Sequence, residues 1–342
     1  MNAPRTILLV KLSAIGDVLH GVPAAVAIKD AFPAARVGWV VEGRSADVLE
    51  GHRGIDRIFR LPRGWMKRPA EILRLARDLR AFKADVTIDM QGLLKSATVS
   101  LLAGSRIRIG HARPEAREGS WLVTNHPVAP SAAHVVARNC GLLAPLGIGA
   151  TSPRFDMPRW PQARTRMEAW IDSLGPGAPP VLVNPGAGWP SKLWSEDRFA
   201  AVAARLRDEQ GRRVVVVWGG AREQGMAERI AAAGGAIVAP QTSLQDLGEL
   251  CRLSSLLISS DTGPLHLAAA VGTPCVGLFG PVPATRNGPW GDGHITCEPP
   301  ASARPAWHDR KTDTLSMAAI GIDTVVAAAT EFLVADDLCR AA

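Results

Sequence analysis

The sequence of 342 residues contains no tyrosine, few cysteines and no long hydrophobic run. Its longest apolar stretches, such as residues 214–218, are far shorter than the roughly 18 residues that a helix needs to cross a bilayer. We therefore expect no transmembrane helix. Near the N-terminus, Lys11 and Asp17 interrupt the apolar residues before the core of a signal peptide has formed, so we expect a cytoplasmic protein.

Several cofactor and metal motifs are also missing. The nicotinamide fingerprint GxGxxG does not follow the first predicted strand, and no GxxxxGK(S/T) loop occurs, which argues against a dehydrogenase and a P-loop kinase. The absence of a GxSxG elbow weakens the case for a hydrolase. Without a CxxC pair, an Asp-x-Asp pair or a histidine cluster of ligand spacing, we expect chemistry that uses no metal and no cofactor. The cysteines are then expected to be buried free thiols; they are Cys140, Cys251, Cys275, Cys297 and Cys339.

Charge is distributed unevenly along the chain. The formal net charge is +7, but residues 1–160 hold 23 Lys and Arg against 13 Asp and Glu, and the remainder is slightly acidic. A basic half attracts a polyanion such as nucleic acid, an anionic membrane or a phosphorylated substrate. A basic surface that only confers solubility is the alternative. Because the sequence has no RNP-like or helix-turn-helix pattern, we do not expect a nucleic-acid partner.

The first half of the sequence alternates predicted strands and helices. Residues 7–11 form an apolar strand pattern, which a Ser/Gly loop at 13–17 joins to a helical pattern. Residues 36–42 and 85–90 are further predicted strands, and residues 69–82 form a predicted helix with proline at its start. This alternation is typical of a parallel sheet with helices on both faces.

A Pro-rich passage at 151–161 and again at 175–180 interrupts this alternation and predicts a domain boundary. The alternation then resumes, with predicted strands over 181–184, 213–218, 236–239, 256–260 and 275–279 and a last helix over 315–333. We therefore predict an α/β protein with two doubly wound, Rossmann-like domains, residues 1–176 and 177–342. They are expected to face a cleft lined by the carboxyl ends of their strands, with a closing C-terminal helix that can pack back on the first domain.

Three loops at predicted strand ends carry candidate chemistry. Asp17 lies where the first strand gives way to its helix, so its carboxylate can accept a proton from a hydroxyl within about 3 Å, or can serve only as a helix-start residue. Residues 184–192 form a Gly/Pro loop that ends in Lys192, and Asp261 begins the loop that opens an Ala-rich helix. Each of the last two loops can be an ordinary turn, but together they favour a nucleoside diphosphate as ligand.

Six ordered motifs of the sequence resemble glycosyltransferase family 9, the bacterial lipopolysaccharide heptosyltransferases of the GT-B fold. They are residues 10–20 with 23–24, 91–97, 116–118, 190–194, 218–220 with Glu223, and 260–270. The loop around Asp17 and the segment that starts at Gln91 resemble heptosyltransferase I more than heptosyltransferase II. The resemblance covers nearly the whole chain, and it is weakest over 299–311, where nothing is assigned.

The resemblance implies an inverting, metal-independent transfer from ADP-L-glycero-β-D-manno-heptose to the Kdo of Kdo2-lipid A, at the cytoplasmic face of the inner membrane. Asp17 would be the general base, and Lys192 would offset the charge on the departing ADP. Donor contacts are expected at Ser13, Gly186, Lys192, Glu223, Asp261, Thr262, Gly263 and His266. Acceptor contacts are expected from the basic half and the Gln91 segment, at Arg60, Arg63, Lys67, Gln91, Lys95 and Arg117.

Several alternatives stay open at this point. Within the family, the acceptor could be the one used by heptosyltransferase II, or the donor could be another sugar nucleotide. A GT-B sugar-nucleotide epimerase would need its own acid and base residues and no lipid acceptor. An inactive nucleotide-binding scaffold would not need both Asp17 and Lys192, so their joint presence favours an enzyme.

Overall fold

The chain forms two compact units that divide between Pro158 and Arg159. The structure is a computed structural model that describes residues 3–149 and 152–341, with side chains as far as Val334. Thr151, the first residue of the predicted boundary passage, lies outside the described residues.

The first unit is an alternating α/β structure. Its strands are β1 (Thr6–Val10), β2 (Arg36–Glu42), β3 (Arg57–Leu61), β4 (Val86–Asp89), β5 (Ile107–His111) and β6 (His126–Val128). Its α-helices are α1 (Ile15–Leu19), α2 (Val22–Ala31), α3 (Pro69–Phe82), α4 (Leu94–Ala103) and α5 (Val135–Gly141). Short 3-10 helices lie in the connections at Gly43–Leu49, Trp65–Lys67, Ser120–Leu122 and Ala144–Leu146.

The strands of this unit form one parallel sheet in the order β3-β2-β1-β4-β5-β6. The order reverses direction between β1 and β4, and ligands of doubly wound sheets bind beside such a switch point, at the carboxyl ends of the strands. The α3 helix starts at Pro69, whose fixed φ suits a first helical position, and buries Leu75, Leu79 and Phe82 against the sheet.

The second unit repeats this architecture. Its strands are β7 (Val181–Asn184), β8 (Val214–Val216), β9 (Ile237–Val238), β10 (Leu256–Ser260), β11 (Cys275–Leu278) and β12 (His294–Cys297). Its α-helices are α6 (Pro161–Ser173), α7 (Glu196–Gln210), α8 (Ala221–Gly234), α9 (Leu244–Arg252), α10 (Gly263–Ala270), α11 (Ala284–Asn287) and α12 (Ile322–Ala341). Short 3-10 helices lie at Pro190–Lys192 and Ala301–Ala303.

Its sheet is again parallel, in the order β12-β11-β10-β7-β8-β9, with the switch point between β7 and β10. Read from the other edge, this is the same winding as in the first sheet. The prediction of two doubly wound α/β domains is therefore confirmed. In the described part of the chain, no helix is both long and apolar enough to cross a membrane.

The division between the units lies earlier than the predicted 176/177 boundary. The backbone N–H of Trp160 donates to buried Glu249 at 2.9 Å, and Arg166 pairs with Asp246 at 2.6 Å. These bonds fasten α6 to α9, so the helix bracketed by prolines belongs to the second unit rather than to the first.

The last helix begins later than predicted. Residues 315–321 precede α12, which starts at Ile322. The Arg198 guanidinium and the Trp194 indole N–H both donate to the carbonyl of Ile320, and Arg198 also donates to the carbonyl of Ala318. Those carbonyls accept hydrogen bonds from the Trp194 and Arg198 side chains instead of from backbone N–H groups of a helix. From Ile322 to Leu333, one face of α12 packs into the core of the second unit, with Val325, Val326, Ala329 and Leu333 buried there.

The described cysteines are free thiols. Cys251, Cys275 and Cys297 are buried, and burial raises the pKa of Cys251 to about 12. Cys140 is partly buried, and its pKa is also raised to about 12 by burial. The side chain of Cys339 lies outside the described residues.

Candidate active site

Asp17 lies on α1, directly beyond the carboxyl end of β1. Its Oδ2 accepts a hydrogen bond from the backbone N–H of Ala14 at 3.1 Å, and the side chain is half-buried. Asp17 thus accepts a backbone hydrogen bond at the start of the helix. This is the geometry that its interpretation as a helix-start residue requires. Because it forms no ion pair within the described residues, its charge is not committed to a protein cation, and the proton-acceptor role is compatible with the same geometry.

The loop before Asp17 is held by Gln91, which follows β4 across the switch point. The Gln91 Oε1 accepts from the N–H of Leu12 at 3.0 Å, and its Nε2 donates to the carbonyl of Ser13 at 2.9 Å. The side-chain amide of Gln91, which was expected to contact the acceptor, therefore hydrogen-bonds to the backbone of this loop. Ser13, expected among the donor contacts, takes part through its backbone and lies beside Asp17.

Three ionisable groups are buried beneath this loop. Lys11 Nζ donates to the carbonyl of Met90 at 2.6 Å, and Asp89 accepts from the N–H groups of Gln91 and Gly92. Burial raises the pKa of Asp89, although these hydrogen bonds and the charge of Lys11 oppose the shift. Burial and the charge of Lys11 lower the pKa of His111 to about 4. His111 is therefore neutral at pH 7.

Two of the basic residues expected to contact the acceptor already have acidic partners. Arg60 pairs with Asp47 at 2.8 Å and with Glu50 at 2.6 Å. Lys95, at the start of α4, pairs with the buried carboxylate of Glu42, the last residue of β2. Their charges are thus offset within the first unit.

The other three basic candidates are exposed, and none of them forms an ion pair among residues 3–149 and 152–341. They are Arg63, Lys67 and Arg117. The first two follow the carboxyl end of β3, and the N–H of Arg117 donates to the carbonyl of Gly92 at 2.9 Å. The topology therefore brings these cations to the sheet edge that carries Asp17.

In the second unit, Lys192, Asp261 and His266 form one hydrogen-bonded group. The Lys192 Nζ lies 2.5 Å from Asp261 Oδ2, and His266 Nε2 lies 3.0 Å from Asp261 Oδ1. Burial alone would raise the pKa of Asp261, but the hydrogen bond with His266 and the charge of Lys192 outweigh it and hold that pKa below its usual value. Asp261 is therefore an anion that fixes the position of Lys192.

The start of α10 lies beside this group. Asn184, the last residue of β7, donates from Nδ2 to Ser259 Oγ at 2.9 Å and to Thr262 Oγ1 at 3.1 Å. These bonds connect the ends of β7 and β10 and set the backbone of Thr262 and Gly263 at the N-terminus of the helix. Free N–H groups and the positive dipole end of a helix favour an anion there. The hydroxyls of Ser191 and Ser260, both buried, have no hydrogen-bond partner in the described part of the chain.

Glu223, in the first turn of α8, accepts from the N–H of Gly219 at 2.8 Å. Its carboxylate packs so closely on Gly186 that a Cβ at that position would overlap it. Gly186 is thus required for a close approach of side chain to backbone. The second unit brings Gly186, Lys192, Glu223, Asp261, Thr262, Gly263 and His266 to one edge of its sheet, as expected for the donor contacts.

Some residues of these sites were not among the candidates from the sequence. Asn184 and Glu42 both end an apolar strand, and a polar residue at that position is a signal that could have identified them. Lys11 also follows an apolar strand, but only the fold shows that its charge is buried. Within the described residues, no three His, Cys, Asp or Glu side chains are grouped as metal ligands would be. Chemistry without a metal stays a prediction.

The sequence pattern of glycosyltransferase family 9 (heptosyltransferase) matches residues 72–314. Lipopolysaccharide heptosyltransferase 1 of Pseudomonas aeruginosa is 31% identical over 300 residues, which cover 84% of this chain and 82% of that protein. The relative thus extends over both units.

Two solved structures are similar to almost the whole chain. A family 9 glycosyl transferase from Veillonella parvula has a TM-score of 0.83 at 21% identity, covering 98% of this chain and 99% of that one. The Escherichia coli heptosyltransferase WaaC with ADP-2-deoxy-2-fluoro heptose has a TM-score of 0.76 at 25% identity, covering 95% and 99%. The family pattern, the relative and the fold agree, and they confirm the resemblance inferred from the motifs. The chain therefore belongs to glycosyltransferase family 9, the heptosyltransferase family, and is a glycosyltransferase.

Proposed function

We propose that this enzyme transfers L-glycero-D-manno-heptose from ADP-heptose to the Kdo of Kdo2-lipid A, with inversion and without a metal, in the synthesis of the lipopolysaccharide inner core. One observation carries the proposal: each sheet has, at its switch point, the charged group that one half of this reaction requires. The first unit has the Asp17 carboxylate, and the second has the group of Lys192, Asp261 and His266. The similarity to a protein named heptosyltransferase 1 favours Kdo2-lipid A as the acceptor.

On the acceptor side, Asp17 acts as the general base. An uncharged hydroxyl is a poor nucleophile, and a carboxylate within hydrogen-bond reach removes its proton as the new bond to the anomeric carbon forms. The half-buried position of Asp17 and its lack of an ion pair within the described residues support this role. Gln91 fixes the loop and thereby the position of the base.

On the donor side, the bond between the anomeric carbon and the diphosphate oxygen breaks, and negative charge develops on the departing ADP. Lys192 supplies a positive charge for it, and the N–H groups of Thr262 and Gly263 supply hydrogen bonds. Asp261 and His266 hold Lys192 in place before the donor binds. Glu223, at Gly186, is suited to accept hydrogen bonds from donor hydroxyls.

The acceptor carries Kdo carboxylates and lipid A phosphates, which require cations. Arg63, Lys67 and Arg117 are exposed at the edge that carries Asp17, and we assign the acceptor's anionic groups to them. Lys95 and Arg60 would have to exchange a protein carboxylate for an acceptor anion. This surface would work at the cytoplasmic face of the inner membrane, because the acceptor is a membrane lipid.

The experiment that tests the proposal measures ADP release and the mass of the lipid product, with ADP-heptose as donor and EDTA present. The acceptors are Kdo2-lipid A and, in a parallel reaction, Kdo2-lipid A that already carries one heptose. We expect a single heptose to be added to the first acceptor, with little product from the second.

Each other result corrects a different part of the proposal. Product only from the heptosylated acceptor would indicate the activity of heptosyltransferase II instead. Binding of ADP-heptose without transfer to either lipid would support the proposed donor and exclude both acceptors. Activity that EDTA abolishes and Mg²⁺ restores would contradict chemistry without a metal.

A further inference from the structure

Residues 298–321 connect β12 to α12 and carry the exposed Trp307, the half-buried Arg310 and the exposed Lys311. The Arg310 guanidinium lies 4.1 Å from the centre of the Trp307 ring and 6.0 Å from that of Trp189. The Lys311 Nζ lies 5.2 Å from the centre of the Trp189 ring, whose other neighbour, Lys192 Nζ, lies at 4.5 Å. Three cations therefore surround one indole in the loop that follows β7.

The carboxylates of this segment and of the adjoining loop contact groups other than Arg310 and Lys311. Asp261 pairs with Lys192 and not with the other two cations. The acids of the same connecting segment have other contacts: Glu298 pairs with Arg304, Asp309 lies 3.1 Å from the exposed His308 imidazole, and Asp313 accepts from the Ser316 hydroxyl. Within the described residues, Arg310 and Lys311 form no ion pair.

Stacking on an aromatic ring positions a cation without neutralising it. Three like charges near one ring repel each other, and this repulsion is relieved when an anion binds among them. Because Lys192, Lys311 and Arg310 all lie within 6.0 Å of the centre of the Trp189 ring, a ligand with two phosphates that binds Lys192 can extend toward the other two cations.

We propose that Arg310 and Lys311, held on Trp189 and Trp307, form a phosphate-binding site that extends the Lys192 site and binds the diphosphate of a nucleoside diphosphate. The identity of the ligand as a nucleoside diphosphate rests on the proposed function. It assigns a role to a segment for which the motifs predict none. A diphosphate suits the group, since it carries more negative charge than Lys192 alone can offset.

The test measures Kd for ADP and for inorganic pyrophosphate by calorimetry at several salt concentrations. The proteins are the wild type, R310Q, K311Q and the double variant. Arg304→Gln is the matched control, because it makes the same charge change in the same segment but removes a cation that pairs with Glu298. We expect the double variant to bind both ligands about five- to tenfold more weakly, as for two exposed charge contacts. Its affinity should also depend less steeply on salt, while Arg304→Gln binds like the wild type.

The outcomes separate this site from the donor assignment. Unchanged affinity and salt dependence in the double variant would overturn the phosphate site while leaving the donor proposal intact. An equal loss in Arg304→Gln would also overturn it, because the effect would then be one of general charge. If pyrophosphate binding depends on Arg310 and Lys311 but ADP does not bind, the phosphate site stands and the proposed ADP-linked donor is wrong. A wild type that binds none of these ligands would overturn both.

Discussion

At the residue scale, two glycines of one loop differ in what lies next to them. A Cβ on Gly186 would overlap the Glu223 carboxylate, whereas nothing lies within 4 Å of a Cβ on Gly188. We expect Gly186→Ala to displace Glu223 and to weaken binding of ADP-heptose about tenfold, the cost of a hydrogen bond to a charged group. Gly188→Ala should bind the donor normally. Equal affinity of the two variants, measured by calorimetry, would show that Glu223 does not contact the donor.

The buried His111 predicts how the stability of the protein depends on pH. Its pKa is lowered to about 4 in the folded protein, against about 6.5 in an unfolded chain. Between these values the unfolded chain takes up a proton that the folded protein does not, so the free energy of unfolding falls as the pH decreases.

The variant His111→Gln removes this contribution. We expect its free energy of unfolding to fall less between pH 7 and pH 5 than that of the wild type, by about 1–2 kcal/mol. Urea denaturation of both proteins at the two pH values measures the difference. His52 and His294, whose pKa values are also lowered by burial, remain in both proteins and cancel. The same decrease in both proteins would mean that folding does not lower the pKa of His111.

Single residues at strand ends could be predicted from the sequence, but their partners could not. Asp17, Lys192 and Asp261 each follow an apolar strand pattern, which places them at the ligand-binding edge of a sheet. The pairing of Lys95 with Glu42 and of Lys192 with Asp261 joins residues from distant strands, and only the sheet order brings them together. The sequence therefore predicted where charges lie, and the fold determined which of them are offset.

At the scale of elements, the connection between β1 and α1 depends on a side chain from the loop after β4. Gln91 makes two hydrogen bonds to the backbone that precedes Asp17. We expect Gln91→Met to lower the free energy of unfolding by about 1–2 kcal/mol, since the N–H of Leu12 loses its partner. If Gln91 positions the base, kcat should fall about tenfold while KM for ADP-heptose stays constant.

Steady-state kinetics with both substrates varied, together with urea denaturation, check this prediction. Gln162→Met, on the exposed face of α6, is the matched control and should leave kcat and stability unchanged. A rise in KM for the acceptor alone, at constant kcat, would instead make Gln91 an acceptor contact, as the family resemblance implied.

Elements with a strong internal pattern were predictable, and several shorter strands were not. The bounds of β2, β7, β10 and α3 agree with the predicted ranges, because each is a buried strand or an amphipathic helix with a proline at its start. The predictions missed β3, β5, β6 and β12, and of these β6 is an outer strand of three residues that includes Pro127. They also extended α12 over residues whose carbonyls accept from the Trp194 and Arg198 side chains, and periodicity carries no information on such tertiary contacts.

At the scale of the whole molecule, the basic charge belongs to the half that carries Asp17. Residues 1–160 hold an excess of ten basic residues, and the remainder of the chain is slightly acidic. This distribution agrees with an anionic acceptor bound by the first unit, while the positive charge of the second unit that we assign to a ligand is concentrated around Lys192 and Trp189. The proposed reaction thus assigns a different anionic substrate to each sheet.

The proposed base catalysis is tested most directly by Asp17→Asn, which keeps an oxygen for the N–H of Ala14 but cannot accept the proton of the attacking hydroxyl. Single-turnover transfer of heptose to Kdo2-lipid A is measured in EDTA for the wild type, for this variant and for Asp30→Asn. Asp30 is an exposed aspartate of the same unit, paired with Arg154. The account predicts that Asp17→Asn binds ADP-heptose normally and transfers heptose at least about 100-fold more slowly, while Asp30→Asn matches the wild type. Transfer by Asp17→Asn at the wild-type rate would contradict it.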